Sequence, residues 1–225
     1  MTKQIRIGVV SPTHVAFPTI AEAFATIWPE AQPVRMLDDS LYADFIHGDF
    51  TVDERMPDEA FGRVAALLRY SRDTGADGII FCGSVFGRLV EAGRLGFGIP
   101  VLTSYEGMIA EAFAAGNRFG ILATTAGTVA CLTGDIERYA APRGLDFTIT
   151  SGVVDGAFQK KLDGDDDGHD DLVVAAAAGM TDCDALMLGQ FSMGLVPAKI
   201  ADVPGRPVLT APHAAVRRMK GLFEG

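Results

Sequence analysis

Ala76-Asp77-Gly78-Ile79-Ile80-Phe81-Cys82-Gly83-Ser84-Val85-Phe86-Gly87 runs on to Pro100-Val101-Leu102-Thr103. The same pattern returns as Cys183-Asp184-Ala185-Leu186-Met187-Leu188-Gly189-Gln190-Phe191-Ser192-Met193-Gly194, running on to Pro207-Val208-Leu209-Thr210. One offset of 107 residues lays Asp77 on Asp184, Gly87 on Gly194 and each Pro-Val-Leu-Thr on the other. Each copy reads as an apolar strand, a small polar turn, a helix and a second strand. A duplicated unit of this kind predicts two similar lobes whose equivalent turns face each other across a cleft.

Working outward, strands are expected at 5–10, 33–37, 79–82 and 101–103, with helices at 18–28, 57–73 and 87–92. In the long helix, Phe61, Val64, Ala65, Leu68 and Tyr70 form the apolar side, and Gly75-Ala76-Asp77-Gly78 is the stop. The second half restarts the pattern. Helices are expected at 106–115, 127–139, 170–180, 193–201 and 213–223, with strands at 118–123, 146–151, 185–189 and 208–210. Apolar strands alternating with helices predict an α/β fold of two pseudo-symmetric Rossmann-like lobes with parallel sheets. Residues 1–103 with 211–225 form lobe one and 104–210 lobe two. The chain crosses near 103–107 and returns near Thr210, so that the last helix packs on lobe one. Ligands of such sheets sit beyond the carboxyl ends of the strands.

A charge of −10 over 225 residues argues against a nucleic-acid or membrane-surface partner. An anionic small ligand stays admissible, because backbone N–H groups bind anions locally. No apolar run is long enough to span a bilayer, and the first ten residues carry no signal-peptide pattern. Three cysteines with no pairing pattern fit a reducing compartment. The expectation is a soluble cytoplasmic protein; a homo-oligomer is left open.

The strand-end turns supply the candidates. Cys82-Gly83-Ser84 places a thiol near a helix N-terminus, where the helix dipole lowers a thiol pKa. The competing reading is a small buried hydrophobe. Gln190-Phe191-Ser192 holds the equivalent turn and can donate to an anion, or Ser192 can simply cap a helix. Thr124-Thr125 sits where Ser11-Pro12-Thr13 sits in lobe one, with carboxylate binding set against capping. His14 and His213 lie at strand ends as general acid–base candidates or solvated side chains. Asp38-Asp39-Ser40 either caps a helix or lines the cleft. The run at 163–168 begins like a calcium loop, but the position needing a bidentate Glu is Val174; it reads as an acidic surface turn. Cys131 and Cys183 read as structural. No metal-ligand spacing and no dinucleotide fingerprint is present, and Gly93, Gly96 and Gly98 precede a strand rather than follow one.

These turns, with a Cys at the first, a Thr-Thr after the strand that restarts the second half and Pro-Val-Leu-Thr closing each copy, resemble the aspartate/glutamate/hydantoin racemase superfamily. Arylmalonate decarboxylase and maleate isomerase are relatives in that group. The resemblance covers essentially the whole chain, including 37–41, 188–193 and 211–217. It implies cofactor-free proton transfer at the carbon next to a carboxylate, with the carboxylate held by turn hydroxyls and backbone N–H groups. In the two-cysteine racemases one thiolate removes a proton and a thiol on the other face returns one.

This sequence departs from that arrangement. Its internal register pairs Cys82 with Gly189 and Gly83 with Gln190, so whichever column is catalytic holds at most one thiol. If that column falls on Gly83, Cys82 is one residue off. Three readings follow: a racemase or isomerase with Cys82 as its single acid–base group, a decarboxylase or cis–trans isomerase using Cys82 alone, and a degenerate carboxylate-binding protein. The resemblance assigns Cys82 to catalysis. It assigns Ser11, Thr13, Gly83, Ser84, Thr124, Thr125, Gln190, Phe191, Ser192 and His213 to a small-carboxylate substrate, with no cofactor and no metal.

Overall fold

The computed structural model describes residues 4–46, 56–200 and 206–225. Two four-stranded parallel sheets share one strand pattern. The first runs β2-β1-β3-β4, from β1 (Arg6–Ser11), β2 (Gln32–Leu37), β3 (Gly78–Phe81) and β4 (Val101–Leu102). The second runs β6-β5-β7-β8, from β5 (Arg118–Ala123), β6 (Thr148–Val153), β7 (Ala185–Leu188) and β8 (Val208–Thr210). The duplicated aspartates have a common role. An Asp77 oxygen accepts the Arg6 backbone N–H at 2.9 Å, and an Asp184 oxygen accepts that of Arg118 at 2.9 Å. Each copy therefore ties the start of its central strand to the strand beside it.

Alternation along the strands sorts side chains to two faces. Ile7, Val9, Ile80 and Cys82 join Phe119, Ile121, Ala185 and Met187 in one core that runs between the sheets. Val10, Ile79 and Phe81 face a second cluster on the outside of sheet one, and Leu122, Leu186 and Leu188 a third on the outside of sheet two. Each such aliphatic side chain, sealed from water, contributes about 1.5–3 kcal/mol.

The helices are α1 (Phe17–Ile27), α2 (Ser40–Phe45), α3 (Asp58–Asp73), α4 (Gly87–Gly93), α5 (Glu106–Ala115), α6 (Ala126–Ala140), α7 (Ala157–Leu162), α8 (Asp166–Gly179) and α9 (Ala211–Glu224). Helix α5 leaves sheet one and packs against β7 and β8, whereas α9 leaves sheet two and packs on α1 and β3. Met219 of α9 sits against Gly78, and the Lys220 ammonium donates to the carbonyl of Ile27 at 3.0 Å. Where α5 and α9 meet, Gly107 lies against the Ala214 backbone.

Several expectations need correcting. Tyr70 is 63% exposed and does not belong to the apolar side of α3. The run at 163–168 is partly helix: Asp165 caps α8 by accepting the Gly168 N–H, and Asp166 and Asp167 occupy its first turn, where acids suit the dipole. The expected helix 193–201, whose last residue lies outside the described ones, is replaced by two short 3-10 turns, Phe191–Met193 and Val196–Lys199. Pro197 stands where the first copy has Val90 and removes a helical donor. Helices α2 and α7 were not expected.

Asp135 on α6 is 10% exposed and paired with Arg138. Burial pushes its carboxyl up to about 7 against the pull of Arg138, with Glu91 adding repulsion. Between the ordinary carboxylate range and pH 7 the folded chain thus holds a proton the unfolded chain lacks. Stability falls as pH rises through that window and levels off above it. Asp135→Asn should be more stable than the parent at pH 8, on the order of 2 kcal/mol after allowing for the lost ion pair. The gap should narrow markedly at pH 5 in thermal unfolding at the two pH values.

Candidate active site between the two sheets

The carboxyl ends of both sheets open on one cavity of about 370 Å³. Lobe one supplies Pro12, Thr13 and His14 after β1, Asp39 and Tyr42 near α2, and Cys82, Ser84 and Val85 after β3. Lobe two supplies Thr124, Thr125 and Thr128 at the start of α6, Gln190, Phe191 and Ser192 after β7, Phe158, Lys161 and Leu162 from α7, and His169 from α8.

Cys82 sits at the seam between core and cavity. Its backbone N–H donates to Val10 at 2.7 Å, continuing the β1–β3 pairing past the strand end. The side chain, 5% exposed, follows Ile80 onto the face shared by the lobes. The expected lowering of its pKa is overturned: burial pushes the Cys82 thiol up. The turn after it, Ser84–Phe86, is only three residues of 3-10 helix and brings little dipole. A thiol in this setting is held protonated.

Gln190 does what the sequence did not foretell. Its Oε1 accepts the Thr124 backbone N–H at 3.0 Å, and its Nε2 donates to Thr128 Oγ1 at 3.1 Å. Thr125 caps α6 by accepting the Thr128 N–H at 3.3 Å. The lobe-two cradle is therefore satisfied by a side-chain amide of the chain itself. Thr125, for which carboxylate binding was set against capping, caps the helix and also lines the cavity. The two turns are bridged by buried Tyr105, whose hydroxyl donates to the Gly189 carbonyl at 2.6 Å and meets the Ser84 side chain.

Thr13, Ser84, Thr124, Thr125, Gln190, Phe191 and Ser192 are thus brought together with Cys82, and three expected residues are not. Ser11 is sealed beneath the loop, its hydroxyl donating to the Thr13 carbonyl at 2.7 Å. Gly83 turns toward Pro12 and Phe81 rather than the cavity. His213 rides on α9 back to lobe one, where its ring nitrogens meet Thr210 Oγ1 and Glu22 Oε2, each at 2.8 Å; it lines a separate pocket beside Arg217. Of the acidic triplet, Asp39 lines the cleft, while Asp38 and Ser40 are bonded to Arg63. Cys131 and Cys183 lie away from the cavity. Among the described residues no group of three His, Cys, Asp or Glu can hold a metal ion, and no helix is long and apolar enough to cross a membrane.

Sequence reasoning missed His169, Tyr42 and the three α7 residues. The adjacent His169-Asp170 pair at a helix start was the available signal.

A Cβ added at Gly83 would stand 2.7 Å from Pro12 Cγ and 2.8 Å from Phe81 Cε1. Gly83→Cys, which moves a thiol into the neighbouring column, should lower stability by about 1–3 kcal/mol in urea unfolding, because the proline ring and the phenyl ring cannot both retreat.

The family model for Asp/Glu/Hydantoin racemase matches residues 7–219. The chain belongs to that family. Solved structures with the same fold include the allantoin racemase of Klebsiella pneumoniae, at 19% identity and a TM-score of 0.67, covering 98% of this chain and 88% of that one. A glutamate racemase of Bacillus anthracis matches at 15% identity and a TM-score of 0.68, covering 99% and 82%. An unliganded arylmalonate decarboxylase matches at 18% identity and a TM-score of 0.60, covering 98% and 93%. No curated protein matches in sequence. The two-lobe racemase fold and an enzymatic role follow from the family. This member differs from a two-thiol site in having Gly83 and Gln190 beside its strand ends and a single cysteine on the cleft.

Proposed function

We propose that this racemase-family chain is a cofactor-independent isomerase or racemase that moves a proton at the carbon next to the carboxylate of a small acid, with Cys82 as its one thiol. The observation that carries this is the placement of Cys82 on a cavity it shares with the hydroxyl residues Thr13, Ser84, Thr125 and Ser192. Those hydroxyls are assigned to the carboxylate. Forming a carbanion beside a carboxylate is costly, and such donors must supply several kcal/mol of oxyanion stabilisation. Gln190 has no proton to trade and stands in for the second thiol as a positioning group. Phe158, Phe191, Leu162 and Val85 give the remainder of the cavity an apolar lining, which suits a substrate with an apolar group on its reacting carbon. In this reading residues 1–103 with 211–225 act as one lobe and 104–210 as the other.

A second reading is favoured by the state of the thiol. A decarboxylase resembling the arylmalonate enzymes needs one proton donor and no base, and a protonated Cys82 fits that need. Incubation in deuterated water with aspartate, glutamate, 5-substituted hydantoins and aryl-substituted malonates separates the two. Deuterium at the α-carbon without net loss of substrate supports the isomerase; release of carbon dioxide supports the lyase. Saturable binding with neither outcome contradicts both and leaves a carboxylate-binding protein.

A further inference from the structure

His169 opens the second turn of α8 and has no exposed surface, yet it borders the cavity beside Lys161 and Leu162. Its Nδ1 lies 2.8 Å from Asp170 Oδ1. The other Asp170 oxygen receives the Lys199 ammonium at 2.9 Å. Burial works against ionisation of Asp170, but the Lys199 and His169 hydrogen bonds outweigh it and hold the carboxyl below its usual range. An ionised carboxylate on Nδ1 selects the tautomer with the proton there, leaving a lone pair on Nε2. That Nε2 is buried and, among the described residues, has no hydrogen-bond partner. Buried polar atoms are rarely left so, and this one belongs to a ring that lines the cavity. The ring is oriented by a third group, as a general base must be.

We infer that His169 is the base of this site, taking the α-proton from the lobe-two side while Cys82 serves the lobe-one side. The assignment rests on the proton-transfer reading above and removes its difficulty, the lack of a second thiol. The α-carbon–hydrogen bond breaks and its proton goes to the Nε2 lone pair, giving an imidazolium. The electron pair stays on carbon and spreads into the carboxylate as an enediolate. The Cys82 thiol then gives its proton to that carbon and becomes a thiolate. Passage of a proton from imidazolium to thiolate through water, as product leaves, restores both groups. Asp170 is a positioning residue, and Lys199 keeps it in place.

The test uses the full chain in deuterated water with the aspartate, glutamate and hydantoin panel, following both α-deuterium uptake and inversion. His169→Asn, which keeps a donor for Asp170, should lose both by about 100-fold or more with substrate affinity retained in calorimetry. Cys82→Ser should lose inversion more steeply than exchange. Should His169→Asn fold poorly, His169→Gln carries the same expectation. Exchange by either His169 variant at the parent rate overturns the assignment while leaving the family activity standing. No exchange by the parent chain overturns the proton-transfer reading and this assignment with it.

Discussion

Cys82→Ala should stay folded and lose turnover by about 10²–10⁴-fold, the range that removal of a positioned proton-transfer group produces. The variant removes only a sulfur at the edge of the core, so its stability should fall by about 1 kcal/mol. Binding of the substrate carboxylate should persist, because the hydroxyl side chains that face it are untouched. Cys131→Ser and Cys183→Ser should turn over like the parent, since neither thiol reaches the cavity. Steady-state kinetics on the three variants decide the matter. Turnover surviving in Cys82→Ala would remove the thiol from the mechanism.

The second large effect concerns the crossing of α5 and α9, which joins the lobes. A Cβ on Gly107 would stand 2.4 Å from the carbonyl oxygen of Ala214 and 2.7 Å from its carbonyl carbon. Both atoms are helical backbone and cannot turn aside as a flexible side chain can. Gly107→Ala should therefore cost about 3 kcal/mol or more, at the upper end of overpacking, by forcing the two helices apart. Because these helices pack against strands of both sheets, activity should fall as well. Gly62→Ala on α3 is the control. Nothing lies within 4 Å of its added methyl, and it should gain up to about 1 kcal/mol. Urea unfolding of the two variants gives the comparison.

The duplication made both sheets legible. Asp77 and Asp184, at one offset, mark the same junction of strands, and the apolar runs after them become the buried strands β3 and β7. Helix α9 packs on α1, and what that does to His213 was not legible in the sequence. A residue at a strand end faces the cleft only if the next helix stays with its sheet, and α9 leaves for α1. Pro197 was visible and should have argued against a helix. His169 stayed hidden because its meaning lies in contacts. Burial, the Asp170 partner and the lone Nε2 appear only once α8 is folded over sheet two. Gln190 likewise reads as a substrate donor in the chain and becomes, in the fold, a group already bonded to Thr124 and Thr128.

The central claim is that a small acid binds beside Cys82. The pH dependence of Cys82 alkylation, in a Cys131→Ser, Cys183→Ser background and with and without the acid panel, tests it most directly. Alkylation should be slow at neutral pH, rising only under alkaline conditions because burial raises the thiol pKa, and should be markedly slowed by the acid that is turned over. Rapid alkylation at neutral pH that no acid slows would contradict it.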